Sequence, residues 1–286
     1  MKIFAFDMDG TLLQSNMSIS PATLNVLNTI VNNNHKLLLV TGRHYELVKP
    51  IVEKYNLDCG SIVNSGHQYF DDQGIERRRV ALDQKTVINT LRVLLAHDFL
   101  ITIHTDMGKY ILEDKEAFFA KQLALISDEH RALFEDEMDS PFLNKEFFFK
   151  DLKSTKSIDE FLDTKAQVLK IDARAQDKDK LDETVVALEA ISSLLVHVTY
   201  DGFIEISSNA SNKGLMLKDV VDSMNVEHNN VYVFGDSQND QEMFEHFENS
   251  IAMENAHPNL KAQAKWITKT NDEDGIVHAY HHLLNF

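Results

Sequence analysis

Short apolar runs alternate with amphipathic stretches at both ends of the chain. A short continuous apolar run predicts a strand buried on both faces, and apolar positions about three or four residues apart predict a helix. In the N-terminal third, strands are predicted at Lys2–Phe6, "HKLLLVTGR" and "GSIVNSG". Near the C-terminus, the helix "KGLMLKDVVDSM" precedes strands at "NVYVFGD", "SIAM" and "KWIT". This order predicts an α/β fold in which a doubly wound parallel sheet is covered by helices on both faces.

Capping signals delimit the first helices. Ser20 supplies an N-cap and Pro21 a first helical position. The apolar residues that follow fall on one face of the predicted helix, and they are Leu24, Leu27, Ile30 and Val31. A second helix is predicted from about His44 to Tyr55.

From about residue 83 the pattern changes to paired strands beside helices. A helix over "DQKTVINTLRVLLAHD" is followed by the strands "LITIHTD" and "KYILED", a long charged helix and an aromatic patch at "EFFFKDL". A strand at "AQVLKIDA" and another helix lead into the hairpin "LLVHVTYDGFIEISS", whose predicted turn is Asp201-Gly202. We therefore expect a partly antiparallel α+β domain at residues 83–207, inserted into a core formed by residues 1–82 and 208–286.

Composition limits the classes of partner and the cellular setting. The chain has 286 residues, with 28 Lys and Arg against 45 Asp and Glu, and its formal net charge of -17 disfavours nucleic acid and anionic membrane surfaces as partners. Cys59 is the single cysteine, and we expect a small buried residue in a reducing compartment. The apolar run before Asp7 is too short for a signal peptide, and no run has the length that a bilayer requires. We expect a cytoplasmic protein, and the sequence leaves monomer and dimer open.

Two carboxylates, Asp7 and Asp9, directly follow the first strand in "MKIFAFDMDGTLL". A pair this close repels itself unless a cation lies beside it. Other polar residues stand at the ends of other predicted strands or open a helix before one, and they are Thr41, Gly42, Lys213, Asp236, Asn239 and Asp240. Because the carboxyl ends of parallel strands share one edge of an open sheet, we expect all of these groups in one crevice.

The chemistry of these groups is complementary. Asp7, Asp9 and Asp236 offer the hard oxygen ligands that Mg2+ prefers, and Mg2+ is the positive species that the carboxylates require. Thr41 offers a hydroxyl and Lys213 a charge, and both suit a phosphoryl group. A D-x-D motif alone is a weak signal because solvated loop carboxylates are common. The threonine, the lysine and the G-D-x-x-x-D that follow in order are what make the set specific.

A tight turn follows the D-x-D motif. Gly10 and Thr11 present backbone N–H groups to a ligand at this turn, where a side chain at position 10 would block close approach. The turn is therefore a further candidate for binding a phosphoryl oxygen.

Four ordered motifs in this chain resemble those of the haloacid dehalogenase superfamily of phosphohydrolases. They are D-M-D-G-T-L, Thr41 in "LLLVTGR", Lys213 in "SNKG", and "GDSQND". Their order, their spacing and the stretch that begins "SIAMENAHPNLK" look like the Cof-type branch, in which a class IIB cap lies between the second and third motifs. The resemblance spans nearly the whole chain and is weak only in the cap. It implies a Rossmann-like catalytic core and an α/β cap that sets substrate specificity.

The resemblance also implies a role for each matched residue. Asp7 would be the nucleophile that becomes an aspartyl phosphate, and Asp9 would be the general acid for the leaving alcohol and then the base that activates water. Mg2+ would be held by the side chains of Asp7 and Asp236 and the backbone carbonyl of Asp9, with Asp240 steadying the shell of the metal. Thr41 and Lys213 would hold the phosphoryl oxygens, and Asn239 and Arg43 would line the site. Together with Gly10 and Gly42, they form the predicted set of substrate- and phosphate-binding residues.

Two positions depart from the Cof-type pattern. Ser65-Gly66-His67 stands where N-G-A is usual, and Glu254 replaces a small residue in the stretch that resembles A-M-G-N-A. Neither change touches the four motifs. Both therefore bear on the shape of the substrate site and leave the expectation of hydrolysis unchanged.

Other conspicuous residues have structural interpretations that we favour over functional ones. We expect His44, His67 and His104 to be surface or satisfied core residues and not metal ligands. The run Arg77–Arg79 is expected to be a solvated strand or hinge. The aromatic run Phe147–Phe149 is expected to lie in the cap core.

Three functions fit these residues. The first is a Mg2+-dependent phosphatase acting on a small phosphorylated metabolite such as a sugar phosphate, pyridoxal phosphate or flavin mononucleotide. The second is a phosphomutase on the same core, which would pass the phosphoryl group to another hydroxyl. The third is a phospho-accepting signalling module of the receiver type, although receivers accept phosphate after the third strand and have no need of a large cap. We favour the phosphatase.

Overall fold

The computed structural model describes residues 1–126, 144–175, 177–198 and 202–283, apart from the side chains of Phe147 and Lys178. The chain forms two compact units. One, which we call the core unit, is built from Met1–Val80 and Ala210–Phe286, and the other, the inserted unit, is Ala81–Asn209. Each unit has its own sheet and its own apolar interior.

The core unit contains, over its described residues, an eight-stranded sheet in the order β14-β13-β12-β1-β2-β3-β4-β5. Neighbours from β14 to β3 are parallel, and β4 and β5 add an antiparallel edge. These strands are β1 (Ile3–Phe6), β2 (Lys36–Val40), β3 (Cys59–Val63), β4 (Gln68–Phe70), β5 (Glu76–Arg79), β12 (Val231–Gly235), β13 (Asn249–Ala252) and β14 (Trp266–Ile267). The helices of this unit are α1 (Pro21–Asn32), α2 (Tyr45–Tyr55), α8 (Lys213–Ser223), α9 (Gln241–His246), α10 (Pro258–Gln263) and α11 (Gly275–His278).

Both faces of the core sheet are buried. Along β1, Ile3 and Ala5 join an apolar cluster with α8, while Phe4 and Phe6 join the opposite cluster with α1. Successive strand residues point to opposite faces, so a strand covered on both sides is apolar at every position. The predicted doubly wound parallel sheet is therefore confirmed.

The start of α1 shows how local signals fix a helix. The Ser20 hydroxyl accepts the N–H of Thr23 at 3.0 Å, and Pro21 is the first helical residue. The cap satisfies one of the N–H groups that have no partner inside the helix, as the Ser-Pro pair predicts.

The inserted unit contains, within the part that the structure describes, a six-stranded sheet in the order β10-β11-β9-β6-β7-β8. Its pairs are antiparallel except for β7 with β8, so the predicted mixed α+β character is confirmed. The strands are β6 (Phe99–Thr105), β7 (Gly108–Ile111), β8 (Leu152–Ser154), β9 (Val168–Ala175), β10 (Leu194–Val198) and β11 (Phe203–Ser208). The helices are α3 (Gln84–Ala96), α4 (Lys115–Ala124), α5 (Lys145–Phe149), α6 (Ile158–Asp163) and α7 (Leu181–Glu189).

Some predictions for the inserted unit fall partly on residues that the structure does not describe. The predicted charged helix begins as α4, and residues 127–143 of that stretch lie outside the described residues. The predicted hairpin is β10 with β11, although Asp201 of its turn also lies outside them. Phe148 and Phe149 pack against an apolar cluster of this unit, as expected, while the side chain of Phe147 lies outside what is described.

The third strand is shorter than predicted. β3 ends at Val63, and Asn64, Ser65 and Gly66 form a tight turn in which all three residues have positive φ angles. The predicted "GSIVNSG" strand is therefore wrong over its last three residues. The turn reverses the chain into β4, which pairs antiparallel with β3.

Two smaller predictions are confirmed. Cys59 is buried in β3. Arg77–Arg79 lie in β5, an exposed edge strand. Among the described helices, none is both long and apolar enough to cross a membrane.

Candidate active site

The loop after β1 places Asp7 inside the core unit. Its backbone N–H donates to the Phe234 carbonyl at 3.0 Å, and its side chain is buried. Gly10 has a φ angle of 78°, and a Cβ atom there would lie 2.5 Å from Oδ2 of Asp236. The turn therefore requires glycine both for its backbone conformation and for its closeness to the second acidic loop.

The loop after β12 folds back on itself through its last aspartate. Oδ2 of Asp240 accepts the backbone N–H groups of Asp236 and Ser237, each at 3.0 Å. The Asp236 carboxylate in turn accepts the Thr11 hydroxyl at 2.9 Å. The G-D-x-x-x-D spacing thus lets one carboxylate hold the loop while the other reaches the loop after β1.

Lys213, the first residue of α8, lies between the two loops. Asn212 caps this helix by accepting the N–H of Leu215 at 2.8 Å. The Lys213 ammonium donates to Oδ1 of Asp7 at 2.6 Å, to Oδ1 of Asp240 at 2.6 Å and to Oδ1 of Asn239 at 3.0 Å. Its side chain is only 2 % exposed, so the charge is compensated almost entirely by these oxygens.

Three carboxylates and one ammonium therefore share a small buried volume. Oxygens of Asp7, Asp236 and Asp240 lie within 4.8 Å of one another. Burial, helped by Asp240, raises the pKa of Asp7 well above its ordinary value and that of Asp236 to about 6. Burial alone would lower the pKa of Lys213, but Asp240 and Asp7 outweigh it, and the net shift is upward. The cluster lacks positive charge.

This cluster fits a magnesium ion. Lys213 occupies Oδ1 of Asp7, and Thr11 occupies Oδ1 of Asp236, so the second oxygens of these two carboxylates are the candidate ligands. Asp240 uses its oxygens on Lys213 and on the backbone, which suits a residue that steadies the metal site. Mg2+ takes few carboxylates and fills its other positions with water or phosphate oxygens.

The loop after β2 brings Thr41, Gly42 and Arg43 to the same edge of the sheet. Thr41 is buried, its hydroxyl accepts the N–H of Arg43 at 3.2 Å, and its carbonyl accepts the N–H of Ser65 at 3.1 Å. Gly42 lies between them in the loop.

The side chain of Asp9 is not part of the carboxylate cluster. Its two oxygens accept from Arg43, with Nε to Oδ2 at 2.8 Å and Nη2 to Oδ1. The structure thus pairs the Asp9 carboxylate with Arg43, and the sharing of a cation with Asp7 and Asp236 that residue types alone suggest stays a prediction. The backbone carbonyl of Asp9, which the resemblance implies as a ligand, is unaffected by that pairing.

Some contributions to the site were not predicted. The Thr11 hydroxyl binds Asp236, although only its backbone N–H was considered, and the Ser237 hydroxyl donates to Asn239 at 2.7 Å. The third unpredicted contribution comes from the turn after β3. Backbone N–H groups of this turn donate to the carbonyls of Thr41 and Arg43 and so hold the loop that carries them. Thr11 and Ser237 stand next to the acidic motifs in the sequence, and this was the available signal for their hydroxyls. The sequence does not determine which partner a hydroxyl contacts.

The histidines have the structural roles expected of them. His67 is fully buried, and its Nδ1 lies 2.8 Å from the Asn64 carbonyl. In the inserted unit, Nε2 of His104 lies 2.7 Å from Asp172, and burial lowers its pKa. His44 is the N-cap residue of α2.

The fold and the cluster together define a class of protein. It is an α/β enzyme that gathers carboxylates and a lysine at the carboxyl edge of a parallel sheet, with a second unit inserted in the chain. The sequence matches the haloacid dehalogenase-like hydrolase family over residues 4–280, and the chain belongs to that family.

Known relatives cover the chain from end to end. It is 28% identical over 287 residues to the 5-amino-6-(5-phospho-D-ribitylamino)uracil phosphatase YwtE of Bacillus subtilis, covering 100% of this chain and 99% of that one. It is 25% identical to an HMP-PP phosphatase of Yersinia enterocolitica, covering 99% of this chain and 96% of that one. These relatives identify it as a phosphoric monoester hydrolase, which excludes the receiver-type alternative.

Solved structures agree with this assignment. A haloacid dehalogenase-like hydrolase from B. subtilis superimposes with a TM-score of 0.84 at 25% identity, covering 99% of this chain and 100% of that one. The subclass IIB sugar phosphatase BT4131 shares the fold with a TM-score of 0.75 at 19% identity, covering 99% of each chain. The family match and the phosphatase relatives, together with these folds, support the Cof-type assignment.

Proposed function

We propose that this protein is a Mg2+-dependent phosphatase that hydrolyses a small phosphorylated metabolite through an aspartyl phosphate on Asp7. The observation that carries the proposal is the buried set of Asp7, Asp236 and Asp240 around Lys213. A nucleophilic carboxylate must be oriented and must have an anionic substrate brought close to it despite charge repulsion. The set provides the orientation through Lys213, and its lack of positive charge provides the place for a cation.

In the first half of the reaction, one carboxylate oxygen of Asp7 attacks the phosphorus of the monoester. A new bond forms between that oxygen and phosphorus while the bond from phosphorus to the leaving oxygen breaks. Asp9 enters this step protonated and gives its proton to that oxygen, so an alcohol departs and Asp9 is left as a carboxylate. Lys213 donates to Oδ1 of Asp7 and so orients the carboxylate for attack.

In the second half, water replaces the alcohol. Asp9 takes a proton from the water as its oxygen bonds to phosphorus, the bond to Asp7 breaks, and inorganic phosphate leaves with both aspartates restored. Thr41, Lys213 and the backbone at Gly10 are the groups that we assign to the phosphoryl oxygens, with Gly42, Arg43 and Asn239 beside them. Hydrogen bonds and charge at these oxygens stabilise the charge that develops during transfer.

Asp7, Asp236 and the Asp9 carbonyl would hold the magnesium ion, and Asp240 would steady it. When bound, the ion neutralises charge on the phosphoryl oxygens. Without it, the excess negative charge of the cluster repels a phosphate dianion.

The relatives guide the choice of substrate class. Their names include a phosphorylated ribityl pyrimidine, HMP-PP and sugar phosphates. These are small esters, so we assign a small phosphorylated metabolite to this enzyme as well. We assign recognition of its leaving group to the inserted unit, as the cap domain of the enzyme. A small soluble ester needs neither nucleic acid nor a membrane, and we place the enzyme in the cytoplasm.

The test is phosphate release from a panel of sugar phosphates, pyridoxal phosphate and flavin mononucleotide, with Mg2+ and with EDTA. We expect release that requires Mg2+ and that falls at least about a thousandfold in Asp7→Asn. Asp58→Asn, at an exposed aspartate of the same unit, is the matched control and should keep full activity. The far-ultraviolet circular dichroism of both variants should equal that of the wild type.

The same assay separates the hydrolase from a mutase. Stoichiometric inorganic phosphate together with the free alcohol supports hydrolysis. A phosphorylated isomer of the substrate in place of phosphate would support the mutase. Full activity in Asp7→Asn would refute the assigned nucleophile.

A further inference from the structure

Arg43 and Asp9 form a paired contact beside the buried cluster. Two nitrogens of the guanidinium, Nε and Nη2, donate to the two oxygens of Asp9, the first at 2.8 Å. The backbone of Arg43 is held on both sides, because its N–H donates to the Thr41 hydroxyl at 3.2 Å and its carbonyl accepts the N–H of Asn64 at 2.8 Å. The backbone of Arg43 is therefore fixed next to Thr41, which we assign to the phosphoryl group.

The pair differs from the lysine cluster in its exposure. The Asp9 side chain is 47% exposed and that of Arg43 is 21% exposed, whereas that of Lys213 is 2% exposed. An exposed ion pair shifts an equilibrium by no more than about fivefold, whereas a buried one is expensive to break. An incoming anion can therefore displace Asp9 from Arg43 far more easily than it can displace a carboxylate from Lys213.

The chemistry favours that displacement. A phosphoryl dianion carries more charge than a carboxylate and offers the same two-oxygen edge to a guanidinium, which binds either group in a bidentate manner. Asp9 must also reach the leaving oxygen in the proposed mechanism, and pairing of both its oxygens with Arg43 competes with that movement.

We propose that Arg43 exchanges partners when substrate binds: its guanidinium leaves Asp9 for the phosphoryl group, and the carboxylate of Asp9 is released for acid and base work. This inference rests on the proposed function, which gives Asp9 its catalytic role. Arg43 thereby makes the readiness of Asp9 depend on the presence of a phosphoryl group.

The test is a double-mutant cycle on the binding of inorganic phosphate in the presence of Mg2+. Titration calorimetry would give the phosphate Kd of the wild type, Asp9→Ala, Arg43→Ala and the double variant. If Asp9 competes with phosphate for the guanidinium, Asp9→Ala binds phosphate about fivefold more tightly than the wild type. In the Arg43→Ala background the same change should alter the Kd by less than about twofold.

Two outcomes would overturn the exchange. Equal tightening in both backgrounds would mean that Asp9 merely repels phosphate, and weaker binding in Asp9→Ala would mean that it helps to bind it. Arg43→Lys keeps the charge without the paired geometry, and its own cycle with Asp9→Ala should show a smaller coupling than arginine does. The Arg43→Lys cycle gives the answer if Arg43→Ala fails to fold.

The binding cycle separates this inference from the proposed function. It requires no turnover, so loss of the coupling with normal wild-type hydrolysis refutes the exchange alone. Absence of phosphate release from the whole substrate panel, with the coupling present, refutes the proposed reaction but not the exchange of partners.

Discussion

Replacing Lys213 with methionine should expose how the buried site is held together. Methionine has a similar length and no charge, so Lys213→Met removes the ammonium with little change in packed volume. Three oxygens lose a donor within 3.0 Å, and the carboxylates of Asp7 and Asp240 lose their buried counter-charge. Removing one partner of a buried ion pair costs about 3 to 5 kcal/mol, a large part of the about 5 to 15 kcal/mol that stabilises a domain.

The measurement is urea unfolding in EDTA at pH 8, followed by tryptophan fluorescence. Trp266 is the single tryptophan and lies in β14, so its emission reports on the core unit. Lys218→Met is the matched control, since Lys218 lies on the same helix and pairs with Asp222 at 2.7 Å on the exposed surface. We expect a marked fall in the free energy of unfolding for Lys213→Met and none beyond experimental error for the control.

Two further conditions test the cause of the loss. At pH 5 the destabilisation should shrink, because carboxylates whose pKa is raised by burial take up protons and no longer need a counter-charge. Mg2+ should restore part of the stability at pH 8. Equal unfolding free energies for the two lysine variants at pH 8 would refute the view that Lys213 compensates a buried excess of negative charge.

The remaining predictions concern the proposed metal site and the turns beside it. Gly10→Ala should raise the Mg2+ concentration for half-maximal hydrolysis by at least about tenfold, because the new Cβ atom would lie 2.5 Å from Oδ2 of Asp236; an unchanged Mg2+ titration would contradict this. Asp236→Asn should make the metal-free protein more stable at pH 8 by on the order of 1 to 2 kcal/mol and unchanged at pH 4. The sign follows from the raised pKa: the folded state keeps a proton that the unfolded chain releases between pH 3.8 and about 6, so the wild type loses stability as the pH rises through that window. Unfolding in EDTA at both pH values checks this, and a less stable variant at pH 8 would contradict it. Gly66→Ala should cost at least about 2 kcal/mol in the same assay, because the φ angle is 93° and the new Cβ atom would lie 2.1 Å from the Asn212 carbonyl oxygen; a smaller loss would show that the turn can move.

Much of the core unit could be predicted because its strands are buried on both faces. Burial leaves a continuous apolar run such as Ile3–Phe6, and the polar residue that ends the run marks the edge of the sheet. The positions of Asp7, Lys213 and Asp236 in one cluster follow from that rule and from the order of the motifs.

The antiparallel edge of the core sheet could not be predicted in the same way. β5 has the sequence E-R-R-R, with no apolar pattern, and is held by backbone pairing with β4 and by surface ion pairs such as Arg79 with Glu76. In the sheet of the inserted unit, the edge strand β8 was not predicted either, and it is only three residues long. Neither β5 nor β8 buries enough apolar surface to require a periodic pattern of apolar residues in its sequence.

The partners of individual side chains were also beyond the sequence. Arg43 and Asp9 are 34 positions apart in the sequence. Their pairing depends on the rotamers of both side chains, which motif spacing does not predict. The left-handed turn at Asn64–Gly66 was missed for a related reason, since Asn and Gly permit positive φ angles but do not require them.

The position of β1 between β2 and β12 has a consequence for synthesis of the protein. β1 is made first and β12 only after residue 230, so the central pair of the sheet stays open while most of the chain is translated. Asp7 and Lys213 are 206 positions apart, and Thr11 and Asp236 are 225 apart. At roughly 5 to 20 residues per second, this wait lasts on the order of ten seconds or more.

During that wait the inserted unit, Ala81–Asn209, is a continuous segment and can complete its own sheet on the ribosome. The N-terminal strands, in contrast, present an apolar surface and an unpaired edge that chaperones recognise. A chain that stops before Asp240 lacks part of the buried cluster around Asp7, the proposed nucleophile. Interrupted translation would therefore yield a fragment that lacks the complete carboxylate cluster and that we expect to be inactive.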